Sequence, residues 1–172
     1  MIVRRLPAEE LDGAAGALAE ILIDAVHAGA GVSFMAPLAR TEAEAYWRGL
    51  HDALASGRTI LFVAEAEGRI EGTVQLCRPW APNQPHRADL AKMLVHPRAW
   101  KRGIGRGLLS ALEAEARRLG ITLITFDTAV GSPAERFYQH LGFTRVGVIP
   151  DYAYLPHGEL AGTALFYRKL TP

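Results

Sequence analysis

Apolar positions along this chain change period several times, from every second residue to every third or fourth and back, and the changes predict its elements. Ile2 to Arg5 reads as a short strand, and Pro7 fits the first turn of a helix from about Ala8 to Ala28. Leu11, Leu18, Leu22 and Val26 recur there at helical spacing, and Gly29-Ala30-Gly31 stops the run. Val32 to Leu38 is an apolar loop holding Phe34 and Met35. Thr41 with Glu44 forms a capping box for a second helix through Ala55, ended by Ser56-Gly57. Thr59 to Glu65 and Ile70 to Leu76 make a hairpin around Glu67-Gly68-Arg69, and Pro79 to Pro85 is a loop. A strand over Arg87 to Val95 precedes a helix over Ile104 to Leu119, with Ile104, Leu108, Leu112 and Leu119 inward and Gly120 as its cap. The pattern then predicts a strand from Ile121 to Thr128 and a short helix from Ser132 to Leu141 stopped by Gly142. Closing strands follow at Phe143 to Val148 and Ala164 to Leu170.

The alternation describes an α/β chain without repeats or linkers, and 172 residues suffice for one domain with its own core, over 1–172. With 49% hydrophobic and 22% charged residues the composition is that of a globular protein, and a net charge of +1 gives no field favouring nucleic acid or an anionic membrane. Cys77 is the only cysteine, which excludes a disulfide framework and a thiolate zinc site. The six histidines lack ligand spacing and read as surface or loop residues, so no metal is expected. Met1 to Arg5 leads into a charged amphipathic segment, unlike an apolar leader, and no run is long enough to span a membrane. A reducing cytoplasm is the expected setting.

The densest chemistry lies in Lys101-Arg102-Gly103-Ile104-Gly105-Arg106-Gly107, between a predicted strand and a predicted helix. Glycines there permit a tight turn and leave backbone N–H groups facing outward, while the helix dipole and the charges of Lys101, Arg102 and Arg106 favour an anion. The pattern lacks the Gly-Lys-Ser/Thr ending of a nucleotide phosphate loop. It also departs from a dinucleotide fingerprint, with Leu108 where the last glycine would stand, although Asp127 falls near the place of a ribose-binding acid. A dinucleotide-dependent oxidoreductase stays open from these residues alone.

The order strand, Arg102-Gly103-x-Gly105 loop, helix, strand, then Ala134-Glu135-Arg136-Phe137-Tyr138-x-x-Leu141-Gly142-Phe143, resembles the GNAT superfamily of acetyl-CoA-dependent N-acetyltransferases over essentially the whole chain. The resemblance implies a mixed central sheet of about six to seven strands flanked by about four helices. It also implies acetyl-CoA as co-substrate, its pyrophosphate on the backbone amides of Arg102, Gly103, Ile104, Gly105 and Arg106, with Lys101 adding charge. The pantetheine arm would run beside Leu94 and Val95, with Ser132 and Arg136 as further contacts. Tyr138 stands at the family's tyrosine position and would give a proton to the CoA thiolate. Asp89 matches a position where some members carry a glutamate base, and Asp127 is the other carboxylate expected near the cleft. Asp89 could instead pair with Arg87 or Lys92, and Asp127 could anchor a cationic substrate or cap a turn.

By the same resemblance the acceptor pocket lies between 31–37 and 149–162, with Phe34, Met35, Asp127 and Tyr152 around a small amine. Ala25 to Met35 and Val146 to Tyr152 are similar to members that detoxify amino-acid-like toxins. A homodimer is expected only because the family often forms one. Two departures stand out: Trp100 where the family usually has Arg or Gln, and Ser132 in place of a common asparagine. A non-catalytic acyl-CoA sensor or partner-binding domain is the alternative from another class.

Overall fold

In a computed structural model, described here for residues 1–171, seven strands form one mixed sheet in the order β1-β2-β3-β4-β5-β7-β6. They are β1 Ile2–Leu6, β2 Thr59–Ala66, β3 Arg69–Cys77, β4 Arg87–Val95, β5 Leu123–Ala129, β6 Thr144–Tyr154 and β7 Leu160–Lys169. The helices are α1 Leu11–His27, α2 Arg40–Arg48, α3 His51–Ala55, α4 Ile104–Arg118 and α5 Pro133–His140. Only β4 and β5 run parallel; the other neighbours are antiparallel. The doubly wound parallel sheet of a dinucleotide-binding domain is therefore not what this chain forms.

Alternation in the central strands places a core on each face. Ile60, Phe62, Val74 and Leu76 pack with Ile104, Leu108 and Leu112 of α4, and this layer continues through Phe126, Tyr138, Phe143 and Phe166. Leu61 and Val63 point the other way, against Leu11, Leu18, Leu22 and Val26 of α1, with Trp47 and Leu54 beyond. The helical spacing read from α1 is thus the buried face of that helix.

Several predicted boundaries move. Ala8–Glu10 is a separate 3-10 turn, so α1 begins at Leu11. The helix expected from Thr41 to Ala55 breaks at Gly49-Leu50 into α2 and α3. The Thr41–Glu44 capping box does not form: Ala39 is the N-cap, and Thr41 lies inside the first turn. Glu44 instead sits one turn from two arginines and pairs with Arg40 (3.0 Å) and Arg48 (3.0 Å). β6 and β7 extend well past their predicted limits, so most of the loop expected over 149–162 is hairpin, with a bulge between Ile149 and Ala153.

Candidate active site

β4 and β5 pair only over Arg87–Asp89 with Leu123–Thr125. Beyond that point a cleft of about 230 Å³ separates them, lined by Leu90, Ala91, Lys92 and Met93 on one side and Phe126, Asp127 and Thr128 on the other. Tyr138 of α5 also faces it. A smaller cavity of about 110 Å³ adjoins it through Gly31, Ser33 and Asp127 and is walled by Tyr152, Tyr154 and Leu155. The loop over 31–37 is strapped to the β6–β7 turn by Ala36 N–H donating to the Pro156 carbonyl (2.9 Å), which closes this end.

The cleft's exposed strand edge is irregular. Ala91 pairs with Gln75 and Leu94 with Thr73, so Lys92 and Met93 together oppose one residue of β3, a β-bulge. Lys92 takes the left-handed region at φ 46°, an uncommon conformation for a side-chain-bearing residue, and the bulge re-aims its side chain. Its ammonium lies 5.8 Å from the Phe34 ring centre and 5.5 Å from that of Tyr46. Burial pulls its pKa below the ordinary lysine value, partly offset by Cys77 and Asp127. Around it, the Gln75 amide donates to the Tyr46 hydroxyl (3.2 Å), and burial pushes that phenol up to about 12.

Where the chain leaves β4 and enters α4, Gly103 is the N-cap at φ 80°, with no side-chain cap, so the first-turn N–H groups of Ile104, Gly105 and Arg106 stay open. The two glycines do different work. A Cβ on Gly103 would meet nothing, so its role is the left-handed turn; a Cβ on Gly105 would stand 3.0 Å from Phe137 Cζ, so its role is close packing of α4 on α5. Ile104 is buried and presents only its backbone, whereas Lys101, Arg102 and Arg106 are exposed. Arg102 already pairs with Glu67 (2.9 Å) in the β2–β3 turn.

Tyr138 is held from two sides. Its ring packs on Phe126 (4.2 Å between centres) and Phe143 (5.6 Å). Gly142, at φ 81°, ends α5 with a Schellman turn in which Phe143 N–H donates to the Tyr138 carbonyl (3.1 Å). Burial raises the phenol's pKa well above its ordinary value, so the hydroxyl stays protonated at neutral pH. Ser132 caps α5, accepting from Glu135 N–H (3.1 Å). Arg136 donates to the Gly131 carbonyl (3.0 Å), an internal use of that guanidinium.

The two carboxylates differ. Asp89 accepts from both Arg87 and Thr125 and is absent from the lining of the two cavities. Asp127 lines both and accepts only from the Thr163 hydroxyl (2.6 Å). Of the other expected residues, Leu94 is buried in the α1 layer, and the Val95 carbonyl accepts from the Trp100 indole (2.7 Å). Phe34 stands edge-on to Tyr46 (5.2 Å) under the loop, Met35 points to solvent, and Tyr152 walls the smaller cavity. Sequence reading passed over Tyr46, Gln75 and Thr163, and considered Lys92 only as a partner for Asp89, which pairs with Arg87 and Thr125 instead. A lone lysine inside the apolar run Leu90 to Val95 was the available signal for Lys92.

One histidine corrects the surface reading. His96 is buried against α1, because Nδ1 accepts from Arg98 N–H (3.2 Å), leaving Nε2 to face Asp24 (3.0 Å) and Glu20 (3.2 Å). These three could geometrically hold a cation, but Arg98 already bridges Glu20 (2.7 Å) and Glu71 (2.8 Å). The Arg98 guanidinium holds the Glu20 carboxyl below its usual range.

Residues 57–145, just over half of the chain, match the acetyltransferase (GNAT) domain family, and the chain belongs to that family. Over 106 residues it is 41% identical to an uncharacterized N-acetyltransferase from the hisH-hisA intergenic region of Azospirillum brasilense. That match spans 60% of this chain and 61% of the relative. The fold is similar along nearly its full length to a ribosomal-protein-alanine N-acetyltransferase from Brucella melitensis (TM-score 0.77, 22% identity, 99% of this chain and 100% of that one). It is likewise similar to yncA of Salmonella typhimurium, solved with its cofactor acetyl-CoA (TM-score 0.75, 20% identity, 100% and 95%). No helix among the described residues is long and apolar enough to cross a membrane.

Proposed function

We propose that this protein transfers the acetyl group of acetyl-CoA to the primary amine of a small molecule. The observation that carries this is the cleft between β4 and β5, with an open strand edge and Asp127 and Tyr138 lining it, together with the open amides of α4, whose Gly105 packs on Phe137 next to Tyr138. The pyrophosphate would sit on the amides of Gly103 to Arg106, with Lys101, Arg102 and Arg106 supplying charge, and the pantetheine would add along β4 beside Leu94 and Val95. Ser132 and Arg136 stand near enough in sequence to Tyr138 to serve as further contacts. Trp100 must release the Val95 carbonyl if that group is used.

The chemistry follows from what each group can do. An ammonium loses a proton to Asp127, whose carboxylate is not committed to an arginine; Asp89 is, and so suits a structural role better. The amine nitrogen attacks the thioester carbonyl carbon, and the developing oxyanion meets a backbone N–H of the β4 bulge. Collapse expels the CoA sulfur, which takes a proton from the Tyr138 hydroxyl; the second proton lost by the nitrogen restores that hydroxyl and Asp127 releases the first to solvent, so the net products are the N-acetylated amine, the CoA thiol and one proton. Phe34, Met35 and Tyr152 belong to the acceptor side. The acceptor class is an amino-acid-like amine: Ala25 to Met35 and Val146 to Tyr152 resemble the tabtoxin resistance protein, an acetyltransferase that inactivates a β-lactam amino-acid toxin.

Val146, Val148 and Ile149 are exposed on the edge strand β6 and support a homodimer, checked by sedimentation. A lone free cysteine suits a reducing cytoplasm. The functional test is calorimetric titration with acetyl-CoA and, in parallel, NADH. Acetyl-CoA should bind and Arg106→Glu should weaken it by roughly tenfold. No binding, or NADH binding in its place, refutes the reading. Binding without thiol release for any amine favours the sensor.

A further inference from the structure

We infer that Lys92 is a specificity residue that receives an anionic group of the acceptor, so that the acceptor is zwitterionic: an amine with a carboxylate or a comparable acid close by. This rests on the acetyl-transfer reading and deepens it. Lys92 lines the same cleft as Asp127. Its ammonium is half-buried and has no hydrogen-bond or ion-pair partner among the described residues; two aromatic rings are its nearest compensation. A buried cation without an anion is costly to keep, and this one is carried on a strand bulge in a conformation that lysine seldom adopts. Asp127 is near enough for its charge to act on Lys92, yet the two are not paired. Two opposite charges held apart across one small cleft match a ligand that carries both.

The remaining charged and titratable groups do not replace this role. Tyr46 and Cys77 are both pushed toward their neutral forms by burial. Asp89 is occupied by Arg87 and Thr125. The proton balance of the transfer is untouched: Lys92 neither gains nor loses a proton, and Asp127 still takes the first of the two that the ammonium gives up.

The test uses α-amino acids and their C-terminal amides as matched pairs, with wild type, Lys92→Met and Lys92→Arg. Binding is read by calorimetry on CoA-saturated protein, and turnover by thiol release. Amidation makes the amine less basic, so without an anion anchor the amide is the readier nucleophile; preference for the acid is therefore a stringent sign. We expect the acid of at least one pair to bind on the order of tenfold more tightly than its amide. That ratio should fall to near one in Lys92→Met and recover in Lys92→Arg, with the loss in turnover appearing in KM more than in kcat. Equal binding of acids and amides by wild type, or an unchanged ratio in Lys92→Met, overturns the proposal. Selective binding with no thiol release leaves Lys92 as the anion anchor and refutes acetyl transfer instead, so the two failures are distinct.

Discussion

The two ends of the candidate site are built from different materials. The α4 end is backbone: a left-handed glycine, three open amides and a glycine whose missing side chain admits Phe137. The proposed acceptor end is made of side chains, with Lys92 from a bulge in β4 beside the Tyr46 ring of α2, Asp127 from β5 and Tyr152 from β6. A group common to every reaction can be met by amides in a fixed turn, whereas a particular acceptor has to be met by chosen charges and shapes. The α4 end therefore leaves a contiguous mark in the sequence, and the acceptor end leaves a scattered one.

The largest expected effect breaks one end and spares the other. Asp127→Asn should lower kcat/KM by roughly 10² to 10⁴ while the acetyl-CoA dissociation constant stays within about twofold. Steady-state kinetics beside calorimetry measures both, and a matched loss in the two would mean that the ends are not separable. Tyr138→Phe keeps the ring contacts with Phe126 and Phe143 and removes only the hydroxyl. It should reduce kcat by roughly 10² with little change in either KM; unchanged kcat would leave Tyr138 a core residue.

This division also explains what could be read from the chain. The glycine loop, the Tyr138 context and both cores follow local rules, because turn chemistry and hydrophobic period act over a few residues. The bulge at Lys92 depends on pairing with β3 and the length of β7 on pairing with β5, both set by residues distant in sequence. The pairing of Asp89 with Arg87, two residues away, was legible in the sequence, whereas the second donor, Thr125, comes from β5 and nothing local reveals it. His96 read as a surface residue because its carboxylates come from α1.

A third variant sharpens the difference between the two glycines. Gly105→Val should destabilise the fold by about 1–3 kcal/mol through overpacking against Phe137, read from denaturant midpoints. Phe137→Leu in the same chain should restore part of that loss; no rescue would assign Gly105 another role.

The smallest effect lies in alkaline solution. Tyr46 is raised to about 12 by burial and Tyr138 is raised by burial as well, both above the unfolded value of about 10. The unfolded chain then loses these protons first, so stability holds below about pH 10 and falls as pH rises toward the folded values. Lys92 works in the opposite sense, since its folded pKa is lowered and its penalty fades as pH rises toward the unfolded value of about 10.4. Tyr46→Phe should flatten the decline; midpoints that stay constant from about pH 9 to 11 would contradict the buried-phenol account.

The most direct single measurement is mass analysis of an amine panel incubated with acetyl-CoA and the protein, with Asp127→Asn as control. The account predicts that at least one small amine gains one acetyl group with equal release of CoA thiol, and that the variant slows this sharply. Acetyl-CoA binding with no acetylated amine, or acetylation at the same rate by Asp127→Asn, would contradict it.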